Sequence, residues 1–252
     1  MKKLIPLVLI ALAVTGCGSD DTTKGSADRT LTVLAASSLT GTFTQLAQTF
    51  EQRNAGVHVK LVFDSSATLA QQTIEHAPGD VLATADQKTM DDAKTGGGVD
   101  GDPKQFATNV LTLAVPSGNP AHIATLKDLD KDGVDYLTCV TTAPCGAAAQ
   151  KLLAGNGIMR KPVSEEVDVK AVLAKVVAGE ADAGLVYATD VTASQGKVTG
   201  LEVPGAADSP NTYWVAVAAN AKDDALAAQW IDFLTGGEGK AVLEAAGFGT
   251  AG

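Results

Sequence analysis

Two stretches of this chain share one plan, VLAASSLT at Val33–Thr40 and FDSSATLAQQ at Phe63–Gln72: an apolar run, a pair of serines, then a helical pattern. Between them Phe43, Leu46, Ala47 and Phe50 recur at helical spacing, and Val57, Val59, Leu61 and Phe63 alternate with His58, Lys60 and Val62. Strand, helix and strand in that order make a βαβ unit, which implies a parallel sheet. The carboxyl ends of the two strands then share one edge, where open α/β sheets bind their ligands. At each strand-to-helix junction, backbone N–H groups point outward without partners and the helix dipole adds partial positive charge. Such a junction is a seat for an anion. A serine there also serves as a plain N-cap, so Ser37 and Ser38 by themselves leave both roles open.

The alternation continues. Val81–Ala85 is a third expected strand, a helix runs from Asp86 to Lys94, and Gly96–Gly98 with Asp100–Pro103 is expected as a loop. Phe106–Val115 is expected as one long apolar strand ending at Pro116, with a short helix at Leu126–Leu129. A second α/β series follows: strand Tyr136–Val140, loop Thr141–Gly146, helix Ala147–Ala154, and helix Val167–Gly179 with Asp168 as N-cap. Strand Ala183–Tyr187 leads to a helix capped at Thr189-Asp190. Strands Val198–Val203 and Tyr213–Ala218 and helices Asp224–Leu234 and Glu238–Ala246 close the chain. No fixed repeat runs through it, which argues against a solenoid. Two α/β lobes are expected, with the chain crossing between them near Asn109 and near Thr212.

The beginning of the chain has a different character. Lys2 and Lys3 precede the apolar Leu4–Val14, and Val14-Thr15-Gly16-Cys17 resembles a bacterial lipoprotein cleavage box. That resemblance implies a signal peptide at 1–16, lipidation of Cys17 and a lipid anchor on the extracytoplasmic face of the cell membrane. Residues 17–29, polar and patternless, are expected to be a flexible tether. Random-coil scaling gives it a span of roughly 20 Å. Without the leader, 17 basic residues face 29 acidic ones. No basic nucleic-acid footprint is present. Aromatics are only 4% of the chain, too few to favour stacking sites for sugars or bases.

With Cys17 lipidated, Cys139 and Cys145 remain, and an oxidising compartment favours a disulfide between them. His58, His76 and His122 are scattered, which argues against a metal site. Neither a G-x-S-x-G elbow nor a Walker-type loop occurs, so no enzyme motif is legible, although a carboxylate pair stays open.

Eight segments in order resemble the molybdate-binding proteins of bacterial ABC importers, a family of periplasmic solute-binding proteins. They are VLAASSLTGTF at Val33, FDSSATLAQQ at Phe63, PGDVLATADQKTM at Pro78, FATNVLTLAVPSGNP at Phe106, PCGAAAQK at Pro144, VDVKAVLAKVVAGEADAGLVYATD at Val167, YWVAV at Tyr213 and GFG at Gly247. The resemblance implies a type II periplasmic-binding fold, with two α/β lobes joined by a two-strand hinge around a ligand cleft. Lobe one would be 30–109 with 212–252, and lobe two 110–211. The ligand would be molybdate or tungstate, the partner a membrane permease, the state a monomer, with no cofactor, no catalysis and molybdenum present only as its oxyanion. The ligand set carried over by motif is the hydroxyls of Ser38, Ser66 and Tyr187 and the backbone N–H groups of Cys145 and Val169.

The chemistry of that set is coherent. Molybdate near neutral pH is a fully deprotonated dianion and only accepts hydrogen bonds, while Ser, Tyr and backbone N–H all donate. No Lys or Arg is required, so no ion pair has to be buried and then released. Two positions depart from the family pattern. Cys145 stands where a small residue is usual, and Asp64, where Gly or Ala is usual, would repel a dianion unless it points away. Asp64 keeps phosphate open as an alternative, since a carboxylate accepts from a hydrogen-bearing anion. Sulfate is to be separated from molybdate by cavity size. Tyr187 and Val169 also fit as core residues, and Trp214 and Trp230 as core or hinge packing.

Overall fold

The computed structural model describes residues 28–250. The expected signal peptide, Cys17 and the tether up to residue 27 lie outside the described residues. Strand β1 (Arg29–Ala36) runs through a 3-10 turn at Ser37–Leu39 into helix α1 (Thr40–Arg53). Two more such units follow, β2 (Val57–Asp64) with α2 (Ser66–Ile74) and β3 (Val81–Thr84) with α3 (Gln87–Thr95). Strand β1 pairs in parallel with β2 and with β3, placing Ala36 opposite Asp64 and Ala35 opposite Ala83. Three carboxyl ends therefore share an edge.

After β4 (Val99–Asn109) the chain leaves this sheet. It builds a second unit from β5 (Leu111–Pro116), β6 (Tyr136–Cys139), α4 (Pro144–Gly155) and β7 (Ser164–Glu166). Helix α5 (Val169–Ala178), β8 (Ala183–Tyr187), α6 (Ala188–Ala193) and β9 (Val198–Leu201) complete it. The chain returns with β10 (Asn211–Ala218) and ends in α7 (Asp224–Thr235), α8 (Gly237–Ala245) and β11 (Gly249–Thr250). The first sheet has the order β11-β4-β10-β3-β1-β2 and the second β7-β6-β8-β5-β9. The fold class is the expected one: two α/β units, each with its own sheet, linked by two crossings.

Burial explains the run-like strands. Leu31, Val33 and Ala35 of β1 join one core with α1, α7 and α8, while Leu34 joins a second core with Leu69, Leu82 and Met90 on the other face. A strand covered on both faces reads as continuously apolar. The first core centres on Trp230, fully buried, with Phe43 and Phe50 packed edge-on at 5.8 and 5.3 Å between ring centroids. Trp230 is thus core packing. Trp214 is half-buried and donates its indole N–H to the Thr212 hydroxyl at 2.9 Å. In the second unit, Leu113, Val115, Val172, Val176 and Leu185 form a separate core.

Several boundaries differ from expectation, each for a local reason. Phe106–Val115 is not one strand: it breaks at Val110, whose N–H goes to the Asn109 side chain at 3.0 Å, and its halves belong to different sheets. The expected loop at Asp100–Pro103 is the first part of β4. Register shifts along β10 absorb the irregular residues, with Gly101 at φ +68°. The Pro-Cys-Gly segment opens α4 instead of preceding it, because proline at the first helical position has no N–H to satisfy. Thr189-Asp190 lies within the first turn of α6 and not before it, and Asp190 caps the helix from there by accepting the N–H of Tyr187 at 3.1 Å. Arg29, expected in the tether, starts β1 and donates its backbone N–H to Gly56 at 2.8 Å. Strands β7 and β11, short and polar or glycine-bearing, carry no hydrophobic period and were not expected.

Trp230→Ala should lower the unfolding free energy by about 3–5 kcal/mol, the range for emptying an aromatic core position. Urea denaturation followed by circular dichroism measures it, and a loss below about 1 kcal/mol would mean that this cluster is not what holds α7 to the sheet.

Candidate functional site

The carboxyl ends of both sheets meet at one small cavity. Ala36, Ser37, Ser38, Ser65, Ser66 and Ala85 line it from the first sheet, and Pro144, Cys145, Asp168, Val169 and Tyr187 from the second. All five residues singled out from sequence, Ser38, Ser66, Cys145, Val169 and Tyr187, are therefore in one place. The space is tight: the centre of a water-sized sphere has about 10 Å³ in which to sit. A larger cavity of about 630 Å³ is lined only by residues of the second unit, among them Tyr136, Gln150, Met159 and Arg160. It lacks the convergence of two sheets.

Four helix starts supply the polar character. Neither Ser37 nor Ser38 caps by side chain: the N-caps of the 3-10 turn and of α1 are Ala36 and Leu39, without side-chain bonds. The same holds at α2, where Ser65 is the N-cap, and at α4, where Ala143 is. At α5 the Asp168 carboxylate takes the N–H groups of Lys170 at 2.7 Å and Ala171 at 3.0 Å, passing over Val169. At α4 the first residue is Pro144, so Cys145 carries the first N–H. The amides of Val169 and Cys145 are thus the leading donors of their helices, at the ends where the dipoles are positive.

The hydroxyls are aimed by their own partners. The Ser66 Oγ, with its residue 1% exposed, accepts the Ala85 N–H at 2.9 Å, leaving its proton for another acceptor. The Ser38 Oγ lies 2.9 Å from the Tyr213 hydroxyl. The Tyr187 hydroxyl is buried with no hydrogen-bond partner in the protein. A buried unpaired hydroxyl costs free energy unless something satisfies it. Burial, with the neighbouring Tyr213, Asp86 and Asp190, pushes the Tyr187 phenol well above its ordinary range, so it stays protonated and remains a donor.

No Lys or Arg lines the cavity. The Lys170 ammonium is held by the fully buried Asp190 at 2.7 Å, and Asp190 also accepts the Tyr187 N–H at 3.1 Å. Burial raises the Asp190 pKa, with Lys170 opposing that rise. Asp64 accepts its neighbour Ser65 N–H at 2.6 Å and is absent from the cavity wall, which answers its expected conflict with an anion. Cys139 and Cys145 are joined by a disulfide, with their Cα atoms 5.8 Å apart. It ties the end of β6 to the start of α4. Gly146 permits that closeness, since a Cβ there would stand 2.0 Å from the Val140 carbonyl oxygen.

Sequence reasoning did not find Tyr213, Asn109 or Asp190. Tyr213 and Asn109 look like ordinary members of apolar strands, and Asp190 like a cap. Only pairing across β4, β10 and α6 brings them beside the cavity. Among the described residues no group of three or more His, Cys, Asp or Glu is placed to hold a metal ion, and no helix is long and apolar enough to cross a membrane.

Residues 31–249 match the bacterial extracellular solute-binding protein family. The chain belongs to that family. It is 37% identical to the molybdate-binding protein ModA of Mycobacterium tuberculosis, over 97% of this chain and 95% of that protein. Its fold superposes on the periplasmic molybdate-binding protein of Azotobacter vinelandii with a TM-score of 0.77 at 23% identity, covering 86% of this chain and 98% of the other. It superposes almost as well on the sulfate-binding protein SubI of Mycobacterium tuberculosis, TM-score 0.76 at 18% identity, covering 87% and 86%. The type II periplasmic-binding architecture is thus shared by proteins named for different anions, and the fold does not choose between them. As a member of that family the chain is a bacterial extracellular solute-binding protein.

Gly146→Ala should push α4 off the end of β6 and destabilise the protein by about 1–3 kcal/mol, the usual cost of overpacking. An unchanged denaturation midpoint would show that the helix start yields without strain.

Proposed function

We propose that this protein captures molybdate, and tungstate as its close congener, in the cavity between its two sheets and delivers it to a membrane permease. The observation that carries this reading is the Tyr187 hydroxyl, buried, protonated and unpartnered at a cavity wall whose one carboxylate, Asp168, is taken up by the amides of its own helix. Ser38 and Ser66 supply two more hydroxyls, and Cys145 and Val169 supply amides at helix starts. A set of neutral donors suits a dianion that carries no proton of its own. Four helix dipoles add favourable potential without a fixed counter-ion, and release then leaves no stranded cation. The 37% identity to a molybdate-binding relative supports molybdate over other anions.

The same reading makes the protein a binder, not an enzyme, with no cofactor and acting as a monomer. Its place would be the outer face of the cell membrane, anchored through a lipid on Cys17 after removal of residues 1–16. The lobes would be 30–109 with 212–252 and 110–211, hinged at their two crossings. Sulfate offers the same charge and shape, so selection against it rests on the size of the cavity.

Isothermal titration of the soluble domain with molybdate, tungstate, sulfate and phosphate tests this directly; tight binding of phosphate alone would overturn it. Ser38→Ala and Ser66→Ala should each lose about 1.5–3 kcal/mol of molybdate binding, the range for a hydrogen bond to a charged group. Molybdate affinity should stay level from pH 7 up to the ordinary tyrosine value of 10.0, because the raised Tyr187 pKa keeps its proton in place; a fall beginning below that value would remove Tyr187 from the donor set. Reduction of Cys139–Cys145 should weaken binding by loosening the α4 start and cost about 2 kcal/mol of stability in the chain-entropy model. Unchanged affinity after reduction would show that the bridge has no part in holding the ligand loop.

A further inference from the structure

We propose that Tyr213, with Asn109 behind it, sets the direction of the Ser38 hydroxyl proton and so helps restrict the cavity to anions that carry no proton. This inference rests on the oxyanion reading above. Neither Tyr213 nor Asn109 lines the cavity.

The direction follows from what each group is able to do. Asn109 closes β4 at the first crossing and is 4% exposed. Its Oδ1 accepts the Val110 N–H at 3.0 Å, so its Nδ2 must face the other way. Nδ2 donates to the Thr189 hydroxyl at 2.7 Å and, at a longer 3.5 Å, to the Tyr213 hydroxyl. An amide nitrogen has no capacity to accept. Asn109 and Ser38 are the two hydrogen-bond partners of the Tyr213 hydroxyl; Asn109 only donates, so the buried Tyr213 proton finds its acceptor in Ser38 at 2.9 Å. Burial raises the Tyr213 pKa, so that proton is present at every physiological pH. With its oxygen accepting from Tyr213, Ser38 has its proton left for the cavity.

Ser66 reaches the same state by a different route, because its partner is the Ala85 N–H, which only donates. The Tyr187 hydroxyl makes no hydrogen bond within the protein. All three hydroxyls thus present protons. A tetrahedral anion bearing an O–H, such as phosphate at neutral pH, would set its proton against a donor and leave a buried group unpaired, which is costly. Without the Tyr213 hydroxyl, Ser38 is free to rotate and accept from such an anion. Tyr213 is therefore a positioning residue that acts through Ser38.

The test is a double-mutant cycle read by calorimetry at pH 7.5, with molybdate and phosphate as the two probes. Tyr213→Phe keeps the ring contacts with Phe106, Tyr187 and Phe248 and removes only the hydroxyl. It should weaken molybdate binding about tenfold in the wild-type background and not at all in Ser38→Ala. Phosphate should be weakened less than molybdate, so the preference between them narrows. A purely structural role would give equal losses in both backgrounds and for both anions, and that result overturns the relay while leaving the oxyanion reading intact. Binding of neither anion by the wild-type protein would overturn the reading and the relay together. Asn109→Ala in the same two backgrounds supplies an independent cycle should Tyr213→Phe fold poorly; a molybdate loss that vanishes in Ser38→Ala supports the relay, and an equal loss in both overturns it.

Discussion

A buried N–H at the start of a helix has to find an acceptor, and in this protein several such starts face one small cavity without being capped. Most helices solve the problem locally with Ser, Thr, Asp or Asn. Here the N-caps at Ala36, Leu39, Ser65 and Ala143 make no side-chain bond, and the Asp168 cap serves Lys170 and Ala171 while passing over Val169. The demand for acceptors is thereby concentrated at one point. A small polyanion is the partner that meets several of them at once.

The wider architecture follows from the need to bring those starts together. A parallel sheet puts its strand-to-helix turns on one edge, and two such sheets facing each other double their number. The cores stay separate, with Trp230 anchoring the first unit and Val172 and Leu185 the second, so neither depends on the cleft for its stability. Between them runs a thin polar thread. Asn109 sits at one crossing and Tyr213 on β10 just after the other, while Thr189 reaches back from α6. The residues that aim a cavity hydroxyl therefore also span the connection between the two units. Any rotation of one unit against the other has to disturb or repair that thread.

Charge plays an unusual part. The chain carries a net charge of −10, yet the cavity suits an anion. The carboxylates nearest to it are turned away or occupied: Asp64 binds the Ser65 N–H, Asp168 its own helix, and Asp190 Lys170 and the Tyr187 N–H. Neutralising the anion by oriented dipoles in place of cations leaves the surrounding acidity free to keep the protein soluble.

Much of this was legible in the chain. The helical spacing of Phe43, Leu46 and Phe50, the alternation at Val57–Phe63 and the paired serines after each run determined a βαβ unit and the edge where its turns lie, because those signals are local. The gathering of Ser38, Ser66, Cys145, Val169 and Tyr187 was legible only through motifs whose order in the chain implied it. Tertiary structure alone decided the rest. It broke Phe106–Val115 at Val110, since a side-chain bond from Asn109 replaces a ladder bond that no sequence period announces. It drew Asp100–Pro103 into β4, where the partner strand β10 absorbs the irregularity. It also made Tyr213 the partner of Ser38 across 175 positions, a contact set by sheet order and invisible to any local pattern. Local periodicity specifies which elements form; which hydroxyl points where depends on groups that only the folded sheet brings within 3 Å of each other.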